Sequence, residues 1–175
     1  MQRSDLEHPI RAAAGITNQC QFVIIGSQAI PGSVATPPPE RTLSREADIH
    51  PLPAPEPADL IDGAIGDLSH FHDHFGYCAQ GVGPETARLP RGGQGGWACL
   101  LSAATNDRAG DRLDPVDLFV SKACAARDKD LVFNRALLVH RIVTLDAALA
   151  RAGELEDAAE AARAAAWIRR LSASP

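Results

Sequence analysis

Residues 21–27, Gln-Phe-Val-Ile-Ile-Gly-Ser, carry the clearest structural signal in the chain. Four consecutive apolar residues, three of them β-branched, end at a glycine, and this pattern predicts a short buried strand. Because Gly26 has no Cβ, the backbone at this position lets a ligand approach closely. Exposed N–H groups at the start of a helix, together with the Ser27 hydroxyl, suit a phosphate group. We therefore expect Gly26 and Ser27 to bind phosphate.

A second strand is predicted beyond Gly26, where a proline-rich region is interrupted. Residues 43–50 contain no proline and include the run Glu46-Ala-Asp-Ile49. In a strand, the alternation of side chains sends Glu46 and Asp48 to the same face. Two carboxylates at this spacing repel each other unless a cation lies between them, and hard oxygen ligands suit Mg²⁺. The pattern predicts a magnesium site, and the alternative is a solvated strand edge.

The composition is that of a globular protein with a core. The chain has 175 residues, of which 45% are hydrophobic and 22% are charged. The net charge of −5 argues against a general binder of nucleic acid or anionic membranes. No stretch approaches the roughly 18 consecutive apolar residues of a membrane helix, and the first residues lack the apolar segment of a secretory signal. We expect a cytoplasmic protein with no membrane partner.

The cysteines are expected to be small core-filling thiols in a reducing compartment. They lie far apart and no CxxC pair occurs, so their spacing argues against a structural zinc site. They are Cys20, Cys78, Cys99 and Cys124.

We expect a mixed α/β part over residues 1–113, followed by a helical part over residues 114–175. Ser4 and Glu7 form a capping-box pattern, and Asp114 is a helix cap followed by proline at the first helical position. The predicted helices cover residues 5–16, 58–65, 116–140 (as two abutting helices) and 145–171. The predicted strands cover residues 21–25, 43–50, 76–80 and 97–101.

The combination of Phe22-Val-Ile-Ile-Gly-Ser27 with Glu46-Ala-Asp-Ile49 resembles the nucleotidyltransferase superfamily with the polymerase-β-like fold. A bacterial family of nucleotidyltransferase-like proteins, related to the abortive-infection nucleotidyltransferase toxins of toxin–antitoxin systems, is more similar still. The further runs that carry this resemblance are 71–77, 80–83, 117–122 and 127–130. The resemblance covers roughly residues 5–140. It implies an α/β (α+β) fold, with a mixed sheet flanked by helices and a C-terminal helical subdomain packed on the core.

The resemblance also implies an activity, the Mg²⁺-dependent transfer of a nucleotide from a nucleoside triphosphate to a hydroxyl on RNA or protein. Glu46 and Asp48 would be the catalytic acids that hold Mg²⁺, and Gly26 and Ser27 would hold the phosphates. Pyrophosphate would leave. A toxin of this kind would have a cognate antitoxin as a partner.

A helix after Pro115 is expected to supply the cationic half of the site. Lys122 and Asp130 lie eight residues apart in the sequence, with Lys129 between them, so a continuous helix would place all three on one face. The resemblance implies that Lys122 neutralises phosphate charge, assisted by Arg127 or Lys129, and that Asp130 orients the lysine or a metal-bound water. The alternative is a solvated, charged helix face.

The sequence departs from the family pattern in two ways. The first acid is Glu46 where relatives usually have aspartate, and residues 97–101 offer no third acid on a following strand. Asp67 or Asp73 are candidates for that third acid. Without it, the general base for the attacking hydroxyl is missing, so the alternative function is a catalytically degenerate nucleotidyltransferase fold that acts as a binding or regulatory protein.

A third interpretation starts from the alternating histidines His70, His72 and His74. On an extended strand they would all face one way, and with Asp73 they suggest a transition-metal site of a metal-dependent hydrolase. The resemblance instead favours His72 alone, in a structural or substrate-orienting role.

Overall fold

The computed structural model describes residues 3–30, 45–52, 54, 56–93, 98–100, 105–106 and 108–173. The chain divides into two compact units. The first consists of Met1–Thr86 and Trp97–Leu113, and the second of Ala87–Gly96 and Asp114–Pro175.

The first unit combines three helices with a sheet. Its helices are α1 (Arg3–Thr17), α2 (Ala58–Ile65) and α3 (His70–Phe75). Its strands are β1 (Gln21–Ile25), β2 (Glu46–Pro51), β3 (Cys78–Gly81), β4 (Ala98–Leu100) and β5 (Ala109–Arg112). A short 3-10 helix, Gly26–Ala29, follows β1 directly, and another covers Pro84–Thr86.

The five strands form one mixed sheet in the order β3-β2-β1-β5-β4. Strand β1 is antiparallel to β2 and parallel to β5. Strand β2 is parallel to β3, and β4 is antiparallel to β5. The mixed α/β class that the sequence predicted is thus present.

One face of this sheet packs against α1 and α2. Apolar side chains from both helices and from three strands form a buried cluster there. Burial of each leucine, isoleucine or phenylalanine in it contributes about 1.5–3 kcal/mol. Members of the cluster include Leu6, Ile10, Phe22, Ile24, Ala47, Ile49, Ile61 and Ala79. Since side chains alternate along a strand, the residues between these project from the opposite face of the sheet.

Several predicted elements agree with the structure and others differ in detail: the helix predicted over residues 145–171 is interrupted between Ala152 and Ala158, and the strand predicted over residues 76–80 covers Cys78–Gly81. Strand β1 and helix α2 have the predicted bounds. Helix α1 begins at Arg3, so Ser4 lies inside the helix and not at its cap. Strand β2 begins at Glu46, and residues 43–44 of the predicted strand lie outside the described part of the chain, as do residues 97 and 101 that flank β4. Strand β5 was not predicted.

The second unit is helical. Its helices are α4 (Pro115–Ala125), α5 (Asp128–Val139), α6 (Leu145–Ala152) and α7 (Ala158–Ala173). The Asp114 carboxylate caps α4 by accepting a hydrogen bond of 2.8 Å from the Val116 N–H, and Pro115 occupies the first helical position as predicted. The expected pair of abutting helices over residues 116–140 is confirmed.

Within the described ranges, every helix is too short or too polar to cross a membrane.

Candidate functional site

The two acids lie at the start of β2, beside the end of β1. Asp48 is the register partner of Ile25, the last residue of β1. Glu46 is exposed and Asp48 is half-buried, whereas Ala47 and Ile49 are fully buried against the helices. Both carboxylates therefore project from the sheet face opposite α1 and α2, as the alternation predicted.

Gly26 forms a corner that accommodates the Asp48 carboxylate. Its φ of +75° lies in the left-handed region, which glycine adopts without steric cost. A Cβ built on Gly26 would overlap Oδ2 of Asp48, so the carboxylate occupies the space that a side chain would fill. The half-buried Ser27 follows in the 3-10 helix. The structure thus brings Gly26, Ser27 and Asp48 together, with Glu46 on the same strand face.

Other polar residues share this face, including three on β2 and β3 that the sequence reasoning did not single out for it. His50 continues the alternation of β2, and the register of β3 places Cys78 beside Glu46 and Gln80 beside Asp48. Period-two alternation could have identified His50, but the positions of Cys78 and Gln80 depend on strand pairing.

His50 is buried on this face with its Nδ1 3.2 Å from the carbonyl oxygen of Pro51. Burial lowers the pKa of His50, and the backbone contact and the carboxylate of Glu85 offset this only in part. The imidazole is therefore neutral near pH 7, so it adds no positive charge beside the two acids.

The position next to Asp48 on the neighbouring strand holds an amide. Gln80 is the register partner of Asp48, and its amide can donate or accept a hydrogen bond but cannot serve as a general base. The carboxylate of Asp111 is on β5, beside Val23, and hydrogen-bonds the thiol of Cys99. The Asp67 carboxylate is paired with His72, and Asp73 is exposed on α3.

Four carboxylates of the first unit lie close enough to Cys78 to act on its thiol. Burial raises the pKa of the Cys78 thiol to about 11, and the carboxylates of Glu46, Asp67, Asp62 and Asp48 act in the same direction. Four acids close enough to affect one thiol make a negative surface, which favours a bound cation.

The histidine run does not form a strand. Ser69 caps α3 by accepting a hydrogen bond of 3.1 Å from the His72 N–H, and Gly76, with a φ of +73°, ends the helix. The histidines are therefore on a helix, and the prediction that they align on an extended strand is wrong. Of the three, His72 contacts a carboxylate at 2.9 Å, that of Asp67.

The thiols are more varied than predicted. Cys78 is buried and Cys124 is half-buried, but Cys20 and Cys99 are exposed. The expectation that all four fill the core is therefore wrong for these last two. Cys20 lies at the surface, where its Sγ accepts a hydrogen bond of 2.8 Å from Arg108.

In the second unit, Lys122 and Asp130 are brought together. The ammonium of Lys122 donates a hydrogen bond of 3.1 Å to Oδ1 of Asp130 and lies 4.4 Å from the centroid of the Phe133 ring. The Asp130 side chain is 0% exposed and that of Lys122 is 11% exposed. Arg127 donates from Nε to Oδ2 of Asp130 at 2.7 Å. The carboxylate is therefore held between two cations.

This contact arises in a different way from the one predicted. Helix α4 ends at Ala125, and Ala126 has a φ of +51°, so Lys122 and Asp130 belong to separate helices. The prediction of one continuous helical face over residues 122–130 is wrong. The turn at Ala126 folds α5 back, so that its first turn meets Lys122.

The other two predicted cations differ in their surroundings. Arg127 is 56% exposed and caps α5, because its N–H donates a hydrogen bond of 3.3 Å to Asp130. Lys129 is exposed on the first turn of α5. Burial would raise the pKa of Asp130, but the hydrogen bond from Arg127 and the charge of Lys122 outweigh it and hold that pKa below its usual value.

No protein-family model, no curated protein and no solved structure matches this chain.

Proposed function

We propose that the chain is a nucleotidyltransferase-like protein of the polymerase-β-like superfamily. It binds Mg²⁺ and a nucleoside triphosphate at the corner formed by Gly26, Ser27, Glu46 and Asp48, and it transfers a nucleotide to a hydroxyl on RNA or protein. The observation that supports this most directly is the position of the Asp48 carboxylate over Gly26. It puts an acid beside a glycine turn, the pairing on which the sequence resemblance rests.

The donor set at this corner fits Mg²⁺. Glu46 and Asp48 offer hard carboxylate oxygens from one strand face, which Mg²⁺ prefers to nitrogen or sulfur. The Asp48 carboxylate fills the space over Gly26, and a side chain at position 26 would displace it. When bound, Mg²⁺ would neutralise triphosphate charge and polarise the reacting phosphorus.

The chain's own residues would position the nucleotide. The Ser27 hydroxyl would donate a hydrogen bond to phosphate oxygens at the turn after Gly26, next to the Asp48 carboxylate that occupies the space over that glycine. The resemblance also implies a phosphate-neutralising role for Lys122, Arg127 or Lys129. Within its own unit Lys122 is paired with Asp130, so this role stays a prediction.

Calorimetric titration with Mg²⁺ and each of the four common nucleoside triphosphates tests the proposal. In Asp48→Asn, which keeps the shape of the side chain but removes its charge, we expect Mg²⁺-dependent affinity to fall by more than about tenfold, or about 1.4 kcal/mol. Asp59→Asn is the matched control, because Asp59 is an exposed acid on α2. Both variants should keep the thermal melting of the parent. Unchanged affinity in Asp48→Asn would refute the proposal.

A second candidate function is nucleotide binding without transfer, as a regulatory or partner protein. The amide of Gln80 beside Asp48 favours it, because the neighbouring strand then supplies no proton acceptor at that position. Incubation with nucleotides labelled at the α-phosphate, together with total RNA or cell protein, separates the two. Label transfer supports the enzyme, and binding without transfer supports the regulatory protein.

A toxin acting in the cytoplasm, with a cognate antitoxin as its partner, is the biological role we propose for the transferase. Expression of the parent chain should then slow growth. The double variant Glu46→Ala/Asp48→Ala should not, because it lacks both proposed metal ligands. Equal toxicity of parent and double variant would exclude this role.

A further inference from the structure

Asp67, His72 and Cys78 meet in the connection between α2 and β3. Asp67 lies in the turn after α2, His72 is in α3, and Cys78 is the first residue of β3. One ligand atom from each (a carboxylate oxygen, a ring nitrogen and the Sγ) lies within 4.8 Å of the other two. Three side chains with different donor atoms therefore converge from three separate local structures.

Asp67 and His72, the exposed and the half-buried member of this cluster, are held by hydrogen bonds. Nδ1 of His72 is 2.9 Å from Oδ1 of Asp67, and the same oxygen accepts a hydrogen bond of 3.0 Å from the Leu68 N–H. The Ser69 hydroxyl donates to the Gly66 carbonyl at 2.7 Å and accepts from the His72 N–H. Hydrogen bonds therefore fix both the ring and the backbone N–H of His72 against the turn before α3.

Cys78 is fixed by the sheet. Its N–H donates a hydrogen bond of 2.8 Å to the Arg45 carbonyl, and it is the register partner of Glu46. Its side chain is 3% exposed, whereas those of His72 and Asp67 are 28% and 70% exposed. The sulfur therefore lies at the inner end of the cluster and the carboxylate at the outer end, where an ion can enter from solvent.

We propose that Asp67, His72 and Cys78 form a binding site for a zinc-class divalent ion. Sulfur, imidazole nitrogen and carboxylate oxygen are the three ligand types that zinc takes in proteins. Zinc–ligand bonds of about 2.0–2.3 Å place tetrahedral ligand atoms roughly 3.3–3.8 Å apart, so the widest separation in the cluster, up to 4.8 Å, must shorten by about 1 Å and the 2.9 Å contact between Asp67 and His72 must lengthen. Small side-chain rotations supply this, and the Cys78 thiol proton is released to solvent on binding.

This ion differs from the magnesium of the proposed function. Mg²⁺ binds oxygen ligands and leaves thiols and imidazoles to softer ions. The zinc-class site also uses none of the four residues of the nucleotide corner. Because its ligands join the turn after α2, helix α3 and strand β3, the bound ion would tie α3 to the sheet and raise thermal stability.

Titration of the untagged full chain with Co²⁺ tests the site, because a thiolate ligand gives cobalt a near-ultraviolet charge-transfer band and a tetrahedral site gives visible bands. We expect both signals at one ion per chain, displaced by Zn²⁺, and an increase in melting temperature with Zn²⁺. The charge-transfer band should be lost in Cys78→Ser, and affinity should fall at least about tenfold in His72→Gln.

Matched controls come from residues of the same type. Cys20→Ser removes an exposed thiol, and His70→Gln removes an exposed imidazole on α3, so neither should change cobalt binding. Asp48→Asn should keep the thiolate band, because Asp48 is not a ligand of this site, and this separates the site from the magnesium site. If Cys78→Ser does not fold, the His72→Gln and His70→Gln pair decides. Cobalt binding without a thiolate band, or equal binding by His72→Gln and His70→Gln, would overturn the proposal.

Discussion

The carboxylate of Asp48 lies over the Cα of Gly26, in the space that a side chain at position 26 would occupy. Gly26 directly follows β1, Asp48 is in the neighbouring antiparallel strand β2, and Asp48 is paired with the residue just before the glycine. This relationship links a local backbone feature, the positive φ of Gly26, to the place where a cation and a phosphate group would meet.

Gly26→Ala should therefore lower both stability and ligand binding. The substitution strains a left-handed backbone and displaces the Asp48 carboxylate, which we expect to cost about 1–3 kcal/mol of unfolding free energy. Chemical denaturation measures this cost, and calorimetry measures the accompanying loss of Mg²⁺-dependent nucleotide binding.

Gly15→Ala is the matched control for that variant. Gly15 is on α1, its φ is not positive, and apart from its chain neighbours and its own helix backbone no atom lies within 4 Å of the position that an alanine Cβ would take. Alanine there should stabilise the protein by about 0.5–1 kcal/mol. If the two glycine variants behave alike, the packing of Asp48 against Gly26 has no energetic consequence.

Asp130→Asn should destabilise the protein by about 2–3 kcal/mol, because it removes the buried negative charge that pairs with the nearly buried Lys122 ammonium. The amide oxygen still accepts one hydrogen bond, which keeps the loss below that of a full truncation. Asp128→Asn is the control, since Asp128 is exposed on the first turn of the same helix. Equal midpoints of urea unfolding for the two variants would contradict this prediction.

The same carboxylate should make stability fall in acid. The pKa of Asp130 is lower in the folded protein than its usual value, so its contribution is complete above about pH 4 and is lost as the pH falls through the folded pKa. Unfolding free energies measured across this range should decline less steeply for Asp130→Asn than for the parent. Asp157 also has a lowered pKa, and Asp157→Asn serves to separate its contribution.

Alkylation should distinguish the four thiols. Burial raises the pKa of Cys124 to about 11; the charge of Glu160 acts in the same direction, and the charges of Arg88 and Arg163 act against it. Since the thiolate is the reactive form, its modification should be slow at neutral pH and should accelerate by about tenfold per pH unit below that pKa. The exposed Cys20 should be modified first. Peptide mapping by mass spectrometry follows both, and equal rates at neutral pH would count against the prediction.

Local patterns were sufficient where neighbouring residues alone define the element. The β-branched run at residues 22–25 predicted β1, and Asp114 with Pro115 predicted the start of α4. The alternation of Glu46 and Asp48 predicted their common face. In each case the signal and the structure lie within the same few residues, so no distant contact is needed.

Elements that depend on pairing could not be predicted in this way. Strand β5, Ala109-Gly-Asp-Arg112, lacks an apolar run and forms as a strand beside β1. The histidine helix is a different case, because its signals, the Ser69 cap and the left-handed Gly76 at its end, are local and the sequence analysis did not use them. The sequence has no CxxC pair, and this argued against a zinc site. The ligands we propose, Asp67, His72 and Cys78, are of three residue types at irregular spacing, so no sequence motif indicates them.

The chain's own pattern was enough to establish a mixed α/β class, the first strand with its glycine corner, and an acid pair on one strand face. Folding in three dimensions was needed to place Asp48 over Gly26, Gln80 beside Asp48, and Asp130 against Lys122. The physical reason is range: hydrophobic periodicity and capping act over a few residues along the chain. Strand register, by contrast, brings together residues from separate parts of the sequence, and a turn with positive φ brings together residues of two successive helices. Neither kind of contact leaves a periodic pattern in the sequence.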